Sequence, residues 1–229
     1  MWKIVAGLMF GMLVSAGTLA ADLTATEMRW LRGVWPVVAF AKEAGMPLDI
    51  VVQPQPTPDV APLGLAFVEG RCKLVLSMRG NPEADAALER IEPELLDAAL
   101  ELMAAHELGH CRRYLDGAWY DVPAGFADGS SSASSPQAGV ASADTRAARR
   151  EEGYGDLVGL AWAGRHHAAQ YARLHAWLVR ERSTDRIDGS PHDTLAWVAL
   201  VQDKALLLDS GSMFAAAALL WTRGLAAGN

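Results

Sequence analysis

The chain has 229 residues, of which 51% are hydrophobic and 21% are charged. A chain of this length and composition can bury a full core, which argues against a disordered protein and indicates one globular domain or two closely packed lobes. The formal net charge is −7 and no basic patch interrupts the acidic balance. A nucleic-acid partner is therefore excluded.

The first twenty residues have the features of a secretory signal peptide. Lys3 is the single early positive charge, the apolar run 4–14 follows, and small residues lead to a cleavage point after Ala20. We predict a mature domain, residues 21–229, that is periplasmic or secreted. An uncleaved membrane anchor is the alternative.

The mature chain opens with a helix pattern that runs from Thr24 or Thr26 to about Lys42 and ends at Gly45. Pro36 lies within this pattern, so we expect a kink or a break there.

Three short runs rich in branched residues follow the first helix: "LDIVV", "LGLAFVE" and "CKLVLSM". The last two are separated by Gly70, as in a hairpin, so a small mixed or antiparallel sheet of three strands is expected. Asn81 and Pro82 then fit the N-cap and first position of a short helix. Helices and a small sheet together indicate the α+β class.

The segment "PELLDAALELMAAHELGHCRRYLDG" predicts a longer helix that starts near Pro93 and stops at Gly117. His106 and His110 lie about one turn apart on one face of it, so their imidazoles can share one metal ion. Glu107 lies about 100° round from His106, beside the ion and not on it. The pattern H-E-x-x-H places two zinc ligands next to a carboxylate that can take a proton from water.

Residues 117–143 are small, polar and rich in glycine and serine, which predicts a flexible loop that moves over the active site, with a disordered insertion without function as the alternative. One long helix is expected beyond it, to about residue 182, weakened at Gly153 and Gly155. Two further helices are predicted at about 193–208 and 213–225. The apolar stretch within the last is too short to span a bilayer, so no membrane span is expected in the mature chain.

A catalytic zinc ion usually takes three protein ligands, and the sequence offers three kinds of third ligand. Asp116 stands six residues after His110, but Arg113 occupies the place where a chain-bending glycine would be needed to bring Asp116 to the metal. The second kind is a distant histidine. These histidines are expected to face solvent on a helix, and they are His166, His167 and His175.

The third kind is the carboxylate of Glu152 in "EEGYGD". Asp156 follows one turn later on the same face, where it can accept a hydrogen bond from a ligand histidine and fix its ring. We prefer Glu152 to Glu151 because it alone stands four residues before Asp156. The alternative is that these carboxylates form the acidic face of a solvated helix.

The motifs "AAHELGH" and "EEGYGD" together resemble those of the gluzincin metallopeptidases, and within them the CAAX-prenyl-protease-like and related periplasmic enzymes. The resemblance covers about residues 48–165 and implies a zincin-like fold whose edge strand holds the substrate backbone. It implies a zinc cofactor and a peptide or protein substrate. Family members commonly carry alanine just before the aspartate, where this chain has Gly155. The roles implied are metal ligands for His106, His110 and Glu152, general base for Glu107, and orientation of a ligand for Asp156.

The leading hypothesis is an exported zinc-dependent peptidase. His192 is the first candidate for stabilising the oxyanion, with Tyr154 and Tyr120 as further candidates, and a capping or surface role is the alternative for His192. The alternative is a zincin-like assembly or binding module of a cell-envelope machine, with a partner protein. A membrane-anchored helper protein is a third idea. Glu107 favours the enzyme, because a purely structural zinc site does not need a base.

Cys72 and Cys111 are the two cysteines of the chain. In an exported protein one disulfide is the simplest arrangement, with two buried free thiols as the alternative. Cys111 lies one turn beyond Glu107, on the side expected to face an edge strand that carries Cys72. Such a bond would tie the substrate strand to the metal-binding helix.

Overall fold

The computed structural model describes residues 22–55, 57, 60–126, 136–184 and 190–227, with the backbone alone from 136 to 142. The predicted signal peptide and residues 127–135 of the predicted loop lie outside the described residues. Within the described part the chain forms eight α-helices and a three-stranded sheet, which confirms the α+β class. In chain order they are α1 (Ala25–Glu43), β1 (Leu48–Gln53), β2 (Leu63–Val68), β3 (Arg71–Ser77), α2 (Pro82–Glu89), α3 (Leu96–Leu115), α4 (Pro136–His166), α5 (Tyr171–Ser183), α6 (Leu195–Ala199), α7 (Ala205–Leu208) and α8 (Met213–Ala226).

Helix α1 begins and ends as the sequence predicts. The Thr24 hydroxyl accepts from the Glu27 amide while the Glu27 carboxylate accepts from the Thr24 amide, which satisfies two free donors of the first turn. Beyond its end, Gly45 takes a φ of +69°, a conformation that other residues rarely adopt. The helix runs through Pro36 without a break.

The sheet is mixed, with the strand order β1-β3-β2. β1 pairs with β3 in parallel, and β2 pairs with β3 in antiparallel fashion through the predicted hairpin at Gly70. Cys72 therefore lies on the central strand, so its predicted position on an edge strand is wrong. The edge strand of the hairpin is β2.

Helix α3 is the central helix of the core. It packs against α1 and α4 and beneath the sheet, and almost all of its middle turns are buried. Cys111 on α3 is joined to Cys72 on β3, as the cysteine count predicts. The helix ends before Gly117, which has a φ of +66°.

The prediction of a single long helix beyond the loop is wrong about both ends of that helix. Its first turns begin at Pro136, inside the segment predicted as loop, and the helix stops at His166. A turn follows in which the His167 ring lies 2.8 Å from a Glu101 carboxylate oxygen of α3, and the Gln170 side-chain amide donates to the carbonyl of Glu94, two residues before α3 begins. α5 then returns alongside α4.

The C-terminal part is also helical, but two of its helices are shorter than predicted. The helix predicted at 193–208 is divided into α6 and α7, whereas α8 matches its predicted range. The apolar face of α8, with Ala217, Leu220 and Trp221, is buried against α4. Among the described helices, none has the length and apolar character needed to cross a membrane.

Candidate metal centre

A cavity of about 430 Å³ opens between strand β2 and the helices α3, α4 and α5. Its polar lining holds the main site residues predicted from the sequence, together with others that were not predicted. These polar residues are His106, Glu107, His110, Glu152, Asp156, Glu181, Arg182 and His192. The cavity therefore combines the H-E-x-x-H helix with the E-x-x-x-D helix.

Three side chains direct donor atoms to one point in this cavity. The Nε2 atoms of His106 and His110 are 2.9 Å apart. The Glu152 carboxylate lies 3.4 Å from the first ring nitrogen and 3.5 Å from the second. One ligand atom from each residue lies within 4.8 Å of the others, so the group can hold a metal ion.

Glu151 faces away from this point although it is adjacent in sequence to Glu152. Its carboxylate accepts two hydrogen bonds from the Arg113 guanidinium, at 2.8 and 3.0 Å. It also accepts the backbone amide of Tyr120 at 3.0 Å. Glu151 is therefore a structural anchor for the chain that follows α3, and Glu152 is the residue of the pair that reaches the cavity.

Asp156 is fully buried and binds three side chains at once. His106 Nδ1 lies 2.9 Å from one carboxylate oxygen, which leaves Nε2 of that ring directed at the metal point. The Arg182 guanidinium donates to both oxygens, at 2.6 and 2.9 Å. The Thr194 hydroxyl donates to the second oxygen at 2.5 Å. Asp156 thus has the predicted position beside the ligand histidine and further partners that the sequence did not indicate.

These contacts determine the charge state of the site. Burial lowers the pKa of His106, but the neighbouring Asp156 and Glu152 carboxylates overcome this and raise it to about 10. Burial raises the pKa of Glu152, yet the two histidines bring it well below its ordinary value. Burial also raises the pKa of Asp156, but the positive charges of Arg182 and then His106 outweigh this effect and lower the pKa below its ordinary value. Without a metal, the His106 ring is thus a cation between two carboxylates.

Gly155 allows α4 to approach α3 closely. A Cβ atom built on Gly155 would lie 2.7 Å from Cε1 of the His106 ring, closer than real side chains come. The glycine at position 155 therefore has a steric reason. The close approach leaves no room for a methyl group between the two helices.

Glu107 lies on the cavity wall but outside the group of donor atoms. It is partly exposed, and its negative charge contributes to raising the pKa of Arg182 further above its ordinary value. The Glu107 carboxylate thus lines the same cavity as the three ligand residues and is not one of them.

The other ligands considered from the sequence lie elsewhere. Asp116 follows the last turn of α3 and pairs with Arg112. His167 binds Glu101, and His166 stacks on Trp162, both beyond the reach of the cavity. The predicted solvent exposure of His175 is wrong: its ring is buried and lies 2.9 Å from the Val198 carbonyl.

Of the three residues considered for the oxyanion, only His192 lines this cavity. Its side chain is 68% exposed, and its Nε2 lies 3.5 Å from the Glu152 carboxylate. Tyr120 is exposed at the surface and contacts Trp119, whereas Tyr154 is buried beside Trp221. Burial raises the pKa of Tyr154 to about 12.

Sequence analysis did not identify several residues that line or support the cavity. Arg182 and Thr194 hold Asp156. Tyr114 and Trp119 line the cavity and stack on each other, and Phe67 stacks on Tyr114. Only Tyr114 could have been found from the sequence, because it stands four residues after His110 and therefore on the same face of the helix.

Comparison with known proteins gives no relative. No family model, curated protein or solved structure matches this chain.

Proposed function

We propose that the protein is an exported zinc-dependent metallopeptidase with a zincin-like fold. The observation that carries the proposal is the convergence of His106, His110 and Glu152 on one point of a cavity whose wall also holds Glu107. Three protein ligands and a nearby carboxylate outside the ligand set are the pattern of a catalytic zinc site. A structural site would instead close its fourth position with a protein ligand.

The donor spacing and chemistry suit zinc. Bonds of about 2.0 to 2.1 Å in a tetrahedron put neighbouring ligand atoms about 3.3 Å apart. The separations of 2.9, 3.4 and 3.5 Å in this site bracket that spacing. Imidazole nitrogen and carboxylate oxygen are both common zinc ligands, and a bound zinc ion would supply Lewis acidity toward a peptide carbonyl and a water molecule.

The chain's own residues supply the rest of the chemistry. Glu107 is assigned as the general base that accepts a proton from the attacking water and passes it to the departing amine. His192 is assigned as a donor to the oxygen that becomes negative, since it lines the same cavity. Asp156 holds the ring of His106 so that Nε2 keeps its direction.

A peptide substrate is supported by strand β2. Among the described strands it pairs with β3 on one side only, and Leu63, Gly64 and Leu65 of β2 line the cavity. An unpaired strand edge offers backbone donors and acceptors to an extended peptide. Apolar side chains of Met103, Trp177 and Leu178 line the same cavity and can receive substrate side chains.

The decisive test pairs metal content with hydrolysis in the purified mature chain. Glu107→Gln should keep about one zinc per chain and lose activity on casein or a peptide library by a factor of roughly 10² to 10⁴. Glu89→Gln, a change of the same kind at an exposed position away from the cavity, is the matched control. Undiminished turnover in Glu107→Gln would overturn the peptidase mechanism. Zinc binding without hydrolysis by the unaltered protein would instead favour the binding-module alternative.

A further inference from the structure

Thr194 is a buried polar residue with an unusual use of its hydroxyl group. It stands at the N-cap position of α6, where a threonine side chain ordinarily accepts a backbone amide of its own helix. No such bond is present here. The hydroxyl instead donates to Asp156 across the interface with α4, at 2.5 Å, and the residue is fully buried.

The backbone of Thr194 is tied to the segment that carries His192. The Thr194 amide donates to the His192 carbonyl at 2.9 Å. This bond closes the end of the turn 190–194, which carries both His192 and Thr194. His192 in turn places its ring in the cavity, beside Glu152. The bond between Thr194 and Asp156 is therefore one of the contacts that hold this turn against α4, and an ion pair of Asp193 with Arg149, at 3.9 Å, is another.

Asp156 connects this bond to the metal centre. One of its oxygens receives His106 Nδ1 and the other receives the Thr194 hydroxyl, while Arg182 spans both. The carboxylate is rigid, so a displacement at one oxygen is transmitted to the other. The result is a continuous series of hydrogen bonds from a metal ligand, through Asp156 and Thr194, to the turn that carries His192.

We propose that Thr194 is a positioning residue that couples metal binding to the placement of the turn 190–194. The inference rests on metal binding by the proposed centre and is independent of hydrolysis. When an ion fixes His106, Asp156 is fixed with it, and Thr194 then holds the turn against α4. Coupling of this kind is reciprocal, so a firmer turn also strengthens metal binding.

Two variants separate this role from simple packing. Thr194→Val keeps the branched shape and removes the hydroxyl, whereas Thr194→Ser keeps the hydroxyl and removes a methyl group. Thr222→Val is the matched control, because the Thr222 hydroxyl bonds only to a carbonyl of its own helix at the surface. A packing role predicts that serine is the worse replacement, and a role through Asp156 predicts that valine is.

The first measurement is hydrogen exchange with and without added zinc. In the unaltered protein, zinc should slow exchange in α3 around His106 and also in residues 190–201, each by several-fold. Thr194→Val should keep the slowing in α3 and lose it in 190–201, and Thr194→Ser should keep both. Protection of α3 without protection of 190–201 in the unaltered protein would overturn the coupling, and this readout does not depend on any variant folding.

The second measurement is zinc affinity by competition with a chelator. Thr194→Val should weaken zinc binding on the order of 10-fold, with Thr194→Ser and Thr222→Val close to the unaltered protein. In the Asp156→Asn background the effect of Thr194→Val should shrink, because the partner of the hydroxyl is already changed. Equal affinities for the valine and serine variants would overturn the inference while leaving the proposed metal centre in place. Failure of zinc to bind at all would overturn both.

Discussion

Glu151 and Glu152 are neighbours in the chain, yet their carboxylates serve two separate sites. Glu151 forms a buried ion pair with Arg113, and the Arg113 guanidinium also lies 4.6 Å above the Trp221 ring. Glu152 lies between the two histidines of α3. One turn of α4 thus anchors the chain after α3 on one side and completes the candidate metal centre on the other.

This division predicts opposite effects for two alanine variants. Glu152→Ala removes a charged ligand, so zinc affinity should fall sharply, and the metal-free protein should lose only the smaller stability that the Glu152 ion pairs with the two histidines contribute. Glu151→Ala leaves Arg113 buried and unpaired, so it should cost about 3 to 5 kcal/mol of stability and keep zinc binding at a saturating metal concentration. Metal content by plasma mass spectrometry and urea unfolding on both variants measure the two effects. Full zinc occupancy in Glu152→Ala would show that another residue completes the site.

The close approach at Gly155 gives a second matched pair. Gly155→Ala would place a methyl group against the His106 ring, which must then shift, so zinc affinity should drop by at least an order of magnitude by analogy with the loss of an orienting partner. Gly164→Ala lies on the same helix, but its added atom would meet neighbours at an ordinary 3.5 Å. This control should be tolerated and should bind zinc normally. Equal zinc affinity in the two variants would mean that the helices can separate without disturbing the site.

The ligand group was predictable from the sequence because helical spacing alone puts the relevant side chains on common faces. His106 and His110 are one turn apart on α3, and Glu152 and Asp156 are one turn apart on α4. The contact between α3 and α4 is a long-range one that helical spacing does not predict. Only the presence of both motifs in one chain indicated that the two helices would meet. The strands and the first helix were predictable for similar local reasons, namely branched runs, a capping pair and a terminal glycine.

Arg182 shows what local patterns leave out. On an unbroken helix it would lie about 39 Å from Asp156 along the axis, so sequence reasoning gave it no role. The turn after His166 is fixed by contacts of His167 with Glu101 in α3 and of Gln170 with Glu94 just before α3, and these long-range contacts have no local signature. Once α5 folds back, the guanidinium binds Asp156. Burial of His175 escaped prediction for the same reason, since helix packing decides which face is covered.

The disulfide links strand β3 of the sheet to helix α3 across 39 residues of chain. Replacing both cysteines, as Cys72→Ala with Cys111→Ala, should lower the free energy of unfolding by about 4 kcal/mol, because the unfolded chain regains the entropy of an open loop of that length. Urea unfolding of the double variant measures this loss. Alkylation of both thiols in denatured protein without a reductant would show that the bond does not form.

Zinc binding should release a proton. The pKa of His106 is raised to about 10 in the metal-free site, because the carboxylates of Asp156 and Glu152 outweigh the effect of burial. The ring is then protonated at pH 7, and it must be neutral to bind a metal. The cation stabilises the metal-free fold fully below the unfolded pKa of about 6.5, and this contribution is lost as the pH rises through about 10.

Apparent zinc affinity should accordingly rise about tenfold per pH unit between pH 7 and 9, with about one proton released per zinc at pH 7. Calorimetric titration in buffers of different ionisation enthalpy measures the proton count. Heats that do not vary with the buffer would show that His106 is already neutral before the metal arrives.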